Sequence, residues 1–153
     1  MNAIPKITVR SLQRKISVDR DALQRFATEA LRLCLHMRRR ERTELENLSE
    51  ISVLIVDNRR MSSLHRKFLG KKGPTDVLTF QHGEIVVDVE MAREQAQHFG
   101  NELDRELRLY LVHGLLHLHG FDDRTSTQAK EMRQMQTKIL RLASRIDFGH
   151  EYF

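Results

Sequence analysis

The chain has no tryptophan, one cysteine and two prolines, and aromatic residues fill only 6% of its 153 positions. Each scarcity narrows what the molecule can be. With Cys34 alone there is no internal disulfide, so a packed core must hold the fold. Its setting, "LRLCLHM", reads as helix interior, where a thiol serves as a small buried hydrophobe. Long apolar runs are missing too. The cleanest, "ISVLIV" at 51–56, falls far short of the roughly 18 residues a membrane span needs. The opening "MNAIPKITVR" has no apolar stretch of signal-peptide length. These features fit a reducing cytoplasm. So few aromatics argue against base stacking as the main way of holding nucleic acid. No repeat or low-complexity linker breaks the chain, and its length suggests one domain over residues 1–153.

What is abundant is positive charge, unevenly spread. The formal charge is +5 and the sequence pI about 9.7. Residues 1–42 carry 11 Lys/Arg against 4 Asp/Glu, and residues 58–82 carry 6 against 1. Residues 83–106 reverse the sign, with 2 against 7. Basic patches attract polyanions. The densest, "RRRER" at 38–42, also fits a solvated helix end whose arginines complement the helix dipole. Charge alone does not choose between the two.

Hydrophobic periodicity supplies the elements. Residues 6–12 ("KITVRSL") read as a first strand. Residues 17–37 read as an amphipathic helix capped by Ser17 or Asp19, with Leu23, Phe26, Ala27, Ala30, Leu31, Cys34 and Leu35 on one face. The β-branched run 51–58 suggests a buried strand. Residues 59–70 suggest a short helix closed by Gly70. "TDVLTF" and "EIVVDVE" around "QHG" (81–83) predict an antiparallel hairpin. Helices follow over 91–100, from a cap at Asn101 to about His119, and over 126–146. The last carries an apolar stripe of Met132, Met135, Ile139 and Leu142. The expected fold is α+β: one mixed sheet of about four strands packed with about five helices.

Chemistry concentrates in "HGLLHLHGFDD", residues 113–123. The helix that carries it is apolar nearly all round, as buried central helices are. His113 and His117 are four apart, so their imidazoles stack on one face and can converge on one ion. Gly120 can take the left-handed conformation that ends a helix. The chain then turns back, and Asp123 can reach the same point. Two histidines and an aspartate with an open fourth position suit a catalytic metal, zinc first. The alternative is a pair of core histidines satisfied by hydrogen bonds. In HExxH peptidases the residue after the first histidine is the glutamate general base; here it is Gly114. His82 and His119 are lesser candidates, and Asp122 is expected to orient the turn.

These residues resemble the YbeY family of metal-dependent endoribonucleases. The family hallmark HGxLHLxGYDH is matched by "HGLLHLHGFDD", and RGKxxPTDVLSF by "LGKKGPTDVLTF" at 69–80. "GEIVVDVEMAREQA" (83–96) and the N-terminal "ITVRSLQRKISVD" are similar as well. The resemblance implies a bacterial, cytoplasmic protein with a zincin-like fold. It implies RNA phosphodiester hydrolysis in rRNA maturation and ribosome quality control, with rRNA and the small ribosomal subunit as partners. The third ligand of the family is His, where this chain has Asp123. The functional arginine before GK is Leu69 here. Arg66, Lys67, Lys71 and Lys72 could supply phosphate contacts in its place, or form an ordinary solvated loop. A non-catalytic ribosome-associated RNA-binding factor is the second reading, and a metallopeptidase the third.

Overall fold

A computed structural model describes residues 3–145. Its four strands are β1 (Lys6–Ser11), β2 (Glu50–Val56), β3 (Val77–Phe80) and β4 (Glu84–Asp88). They form one sheet in the order β1-β2-β4-β3. β1–β2 and β2–β4 are parallel, and β3–β4 is the antiparallel hairpin expected from the sequence. The helices are α1 (Arg20–His36), α2 (Glu44–Asn47), α3 (Asn58–Leu69), α4 (Val89–Phe99), α5 (Leu103–Leu118) and α6 (Ser126–Ser144). Ile146, the expected end of the last helix, lies outside the described residues. Among those residues no helix is long and apolar enough to cross a membrane.

Alternation along the strands divides the core. Ile51, Val53 and Ile55 of β2 and Ile85 and Val87 of β4 face one side. There they pack with Leu23, Phe26 and Leu31 of α1, Leu111 and Leu115 of α5, and Met132 and Ile139 of α6. The other face carries a smaller cluster, Val56, Leu78 and Val86, closed by Met61 of α3. Period-2 strands thus present two apolar faces, one fully roofed by helices and one only partly. Cys34 sits in the main cluster, and burial pushes its thiol up to about 12, which leaves it inert.

Of the two expected caps of α1, Asp19 is the one that takes the role, accepting from the Ala22 amide. Other boundaries differ from the sequence reading, each for a local reason. β4 stops at Asp88 because that carboxylate accepts from the Glu90 and Met91 amides and so starts α4 at once. Asn101 does not cap α5. Glu102 holds the cap position without a side-chain bond, and the Asn101 amide donates to Glu106 instead. The extra helix α2 was not expected. Thr43 and Glu46 form a reciprocal capping box around it.

α5 packs closely on the sheet at Gly114. A Cβ built on Gly114 would stand 2.7 Å from Ile85 Cγ2 and 3.0 Å from its Cδ1. Both residues are buried, and Ile is stiff at χ1, so neither side can yield cheaply. Gly114→Ala should therefore cost about 1–3 kcal/mol of stability by overpacking. The readout is the urea midpoint at unchanged slope. In an Ile85→Ala background the same change should cost far less, because the atoms it meets are gone. Equal costs in both backgrounds would show that the contact does not set the helix height.

Candidate metal centre

α5 brings the two histidines together as its periodicity requires. Both are half-buried, and their Nε2 atoms lie 3.0 Å apart. The helix then ends in a Schellman turn: Phe121 N–H donates to the Leu116 carbonyl and Gly120 N–H to the His117 carbonyl. Gly120 holds φ 88°, a conformation side chains disfavour. The reversal carries Asp123 back, so that its Oδ2 lies 3.7 Å from His113 Nε2 and 3.9 Å from His117 Nε2. One donor atom from each of the three residues falls within 4.8 Å of the others. Two imidazole nitrogens and a carboxylate oxygen facing one another are a donor set that suits a divalent transition metal.

The groups behind the donors fix their orientation. Gln136 Oε1, on α6, lies 2.6 Å from His113 Nδ1. An amide oxygen only accepts, so Nδ1 carries the proton and Nε2 offers its lone pair inward. Burial lowers the His117 pKa, helped by His113 and opposed by Asp123 and Asp122. The neutral form a metal requires is thereby favoured. Asp122 does orient the turn: its Oδ1 accepts from the Asp123 amide, and its Oδ2 pairs with Arg124 at 2.9 Å. Arg39 adds a clamp from elsewhere in the chain. Its guanidinium stacks on Phe121 at 3.8 Å and donates to the Gly120 carbonyl at 3.1 Å. Nothing in the local sequence marked Gln136 or Arg39 for these tasks.

The histidines open into a cleft of about 480 Å³ lined by Leu69, Val77, Thr79, Gln81, Asp122 and Arg124 among others. Leu69 therefore lines the same cleft as the histidines, though without donors. Of the four proposed phosphate contacts, Arg66, Lys67, Lys71 and Lys72, none lines this cleft; all four are exposed, and Lys67 borders a cavity under α3 on the other face of the sheet. His82 faces that second cavity too, stacked on Phe80 and bonded to Glu84. His119 is buried away from the histidine pair, bonded to Thr43 and to the Met37 carbonyl, and burial lowers its pKa.

Comparison with known proteins places this geometry. The family described as Endoribonuclease YbeY matches residues 8–144. The chain belongs to the YbeY family. Proteins named Endoribonuclease YbeY include one from Carboxydothermus hydrogenoformans, 34% identical over 141 residues, covering 86% of this chain and 93% of its own. One from Bacillus pumilus is 33% identical, covering 78% and 80%. One from Frankia casuarinae is 32% identical over 78% of this chain, which spans only 63% of that longer relative. The solution structure of a Thermotoga maritima protein superposes with a TM-score of 0.65 at 26% identity, over 95% of this chain and 93% of its own. In YbeY terms, the hallmark segment here is the end of α5 and its Schellman turn, and the Gly-Lys motif is the C-terminus of α3.

His117→Ala should abolish stoichiometric metal in elemental analysis of the purified protein. Gln136→Ala should retain the fold but weaken metal affinity about 10- to 100-fold, the usual cost of losing an orienting partner. Full metal content in the first variant would remove His117 from the ligand set. Unchanged affinity in the second would leave Gln136 a bystander.

Proposed function

We propose that this YbeY-family chain is a metal-dependent endoribonuclease that hydrolyses RNA phosphodiester bonds in rRNA maturation and ribosome quality control. The observation that carries the metal half of this reading is the convergence of His113, His117 and Asp123 within 4.8 Å, with both histidines lining a cleft. The RNA half rests on the family and on the basic surface. The expected compartment is the cytoplasm, and the expected partner the small ribosomal subunit.

The ligand set favours zinc, held by two neutral imidazoles and one carboxylate. Such an ion supplies Lewis acidity toward a phosphoryl oxygen and eases deprotonation of water. The chain's own groups do the rest. Gln136 keeps the His113 lone pair aimed inward, and Arg39 and Asp122 hold the turn that presents Asp123. A carboxylate in the third position lowers the formal charge of the filled site from that of a three-histidine set, which tempers its acidity. Arg66, Lys67, Lys71 and Lys72 stay proposed RNA contacts, acting on phosphates beyond the cleft by their summed field.

A peptidase would need a glutamate at position 114. The Ile85 contact leaves no room there even for a Cβ. The second reading, a non-catalytic RNA-binding factor, draws on Leu69, which puts no donor beside the histidines.

The test is cleavage of a structured rRNA fragment and of a single-stranded RNA by purified protein. Cleavage should stop on chelation, return with added divalent metal, and be absent from His117→Ala. Cleavage that survives both chelator and substitution would overturn the metal reading. Tight RNA binding with no cleavage under any metal would select the binding factor.

A further inference from the structure

Residues 38–42 hold four arginines and one glutamate, and the structure gives this basic segment a fixed seat. It spans the gap between α1 and α2, and one buried side chain ties both of its ends. His119 is 1% exposed; its Nε2 lies 2.7 Å from the Met37 carbonyl and its Nδ1 3.0 Å from Thr43 Oγ1. The carbonyl can only accept, so Nε2 carries the proton and the Thr43 hydroxyl donates to Nδ1. Met37 and Thr43 flank the arginines. His119 is itself two residues past His117, so the segment is anchored to the end of the metal-site helix.

The arginines then divide by role. Arg39 is spent on the clamp over Phe121 and Gly120 and lies 3.6 Å from Glu131. Arg42 bonds to Asn47. Arg38 and Arg40 are exposed, and among the described residues their side chains make no hydrogen bond or ion pair. Both line a cavity of about 600 Å³ that also includes His117, Gly120 and Gln81. Those three residues line the histidine cleft as well, so the two spaces adjoin. Glu41 and Glu44 are the opposing charges in this cavity, outnumbered by the four arginines.

We infer that this anchored strap, through Arg38 and Arg40, is where the ribose-phosphate backbone of single-stranded RNA is held beside His117. The inference rests on the nuclease reading for its ligand. It adds cations beside a cleft where Leu69 offers no donor and the lining guanidinium, Arg124, is paired with Asp122. Guanidinium groups match phosphate in geometry, and a seat fixed before binding spares the ordering cost of a free loop. The inferred contacts are to phosphate, which carries no sequence information, so binding should be indifferent to sequence.

The experiment measures affinity of the intact protein for a labelled mixed-sequence single-stranded RNA across a salt series. Three proteins are compared: the unmodified chain, Arg38→Ala with Arg40→Ala, and Lys6→Ala with Arg10→Ala. The last pair removes the same charge from β1, at the opposite edge of the sheet from β3. Two lost phosphate contacts should weaken binding roughly tenfold at about 0.15 M salt and flatten the log–log salt slope by about 1.4. The β1 variant should change the slope little, and metal content should be the same in all three. An unchanged slope in the strap variant, or equal changes in both variants, would overturn the strap while leaving the nuclease reading intact. No salt-dependent RNA binding by the unmodified chain would overturn both.

Discussion

The contact between Gly114 and Ile85 sets the height of α5 above the sheet, and the site depends on that height. A helix this close is roofed by α1, α4 and α6 and floored by β4, which explains why it is apolar on nearly every side. It also sinks His113 and His117 to the level of β3, so that Val77, Thr79 and Gln81 become the wall of the cleft. The glycine that looked like a missing general base is a packing requirement. One absent methyl group both brings the histidines down and closes the position to any carboxylate.

Charge in this molecule is spent in two ways. The acidic stretch 83–106 is largely consumed in holding the fold: Asp88 caps α4, buried so that its pKa rises to about 6, and Glu106 receives the Asn101 amide. Glu90 accepts from the Asn58 amide at the start of α3. The basic stretch 1–42 leaves more of its charge unpaired at the surface. Opposite signs in the sequence therefore mark different duties, internal satisfaction for one and an outward field for the other.

The elements that bury a long face were legible in the sequence. α1, α5 and α6 show the helical period, and β2 and β4 carry β-branched runs, because burial over many residues leaves a repeating mark. α2 is too short to have a period, and the Thr43–Glu46 box that starts it was not read from the sequence. The convergence of His113, His117 and Asp123 was legible because all three residues belong to one helix and its turn, so local geometry decides their meeting. Gln136 and Arg39 were not, since each reaches the site from a distant element through a contact that only tertiary packing creates. The place of the lysines at 71 and 72 relative to the cleft was hidden for a related reason. They sit beside a motif in sequence, but the chain turns at Gly70 and Gly73, with φ 64° and 80°, and leaves both exposed and off the cleft.

The bond from Gln136 to His113 joins residues 23 positions apart. Chain synthesis runs from the N-terminus, at about 5–20 residues per second. α5 and both imidazoles thus leave the ribosome before Asp123, and Asp123 before the helix that orients His113. In that interval the emerging protein already has a paired-histidine motif and its arginine strap, but no fixed tautomer and no third donor. Orientation of the His113 ring thus depends on the element made last, and its tautomer is fixed only when α6 packs against α5.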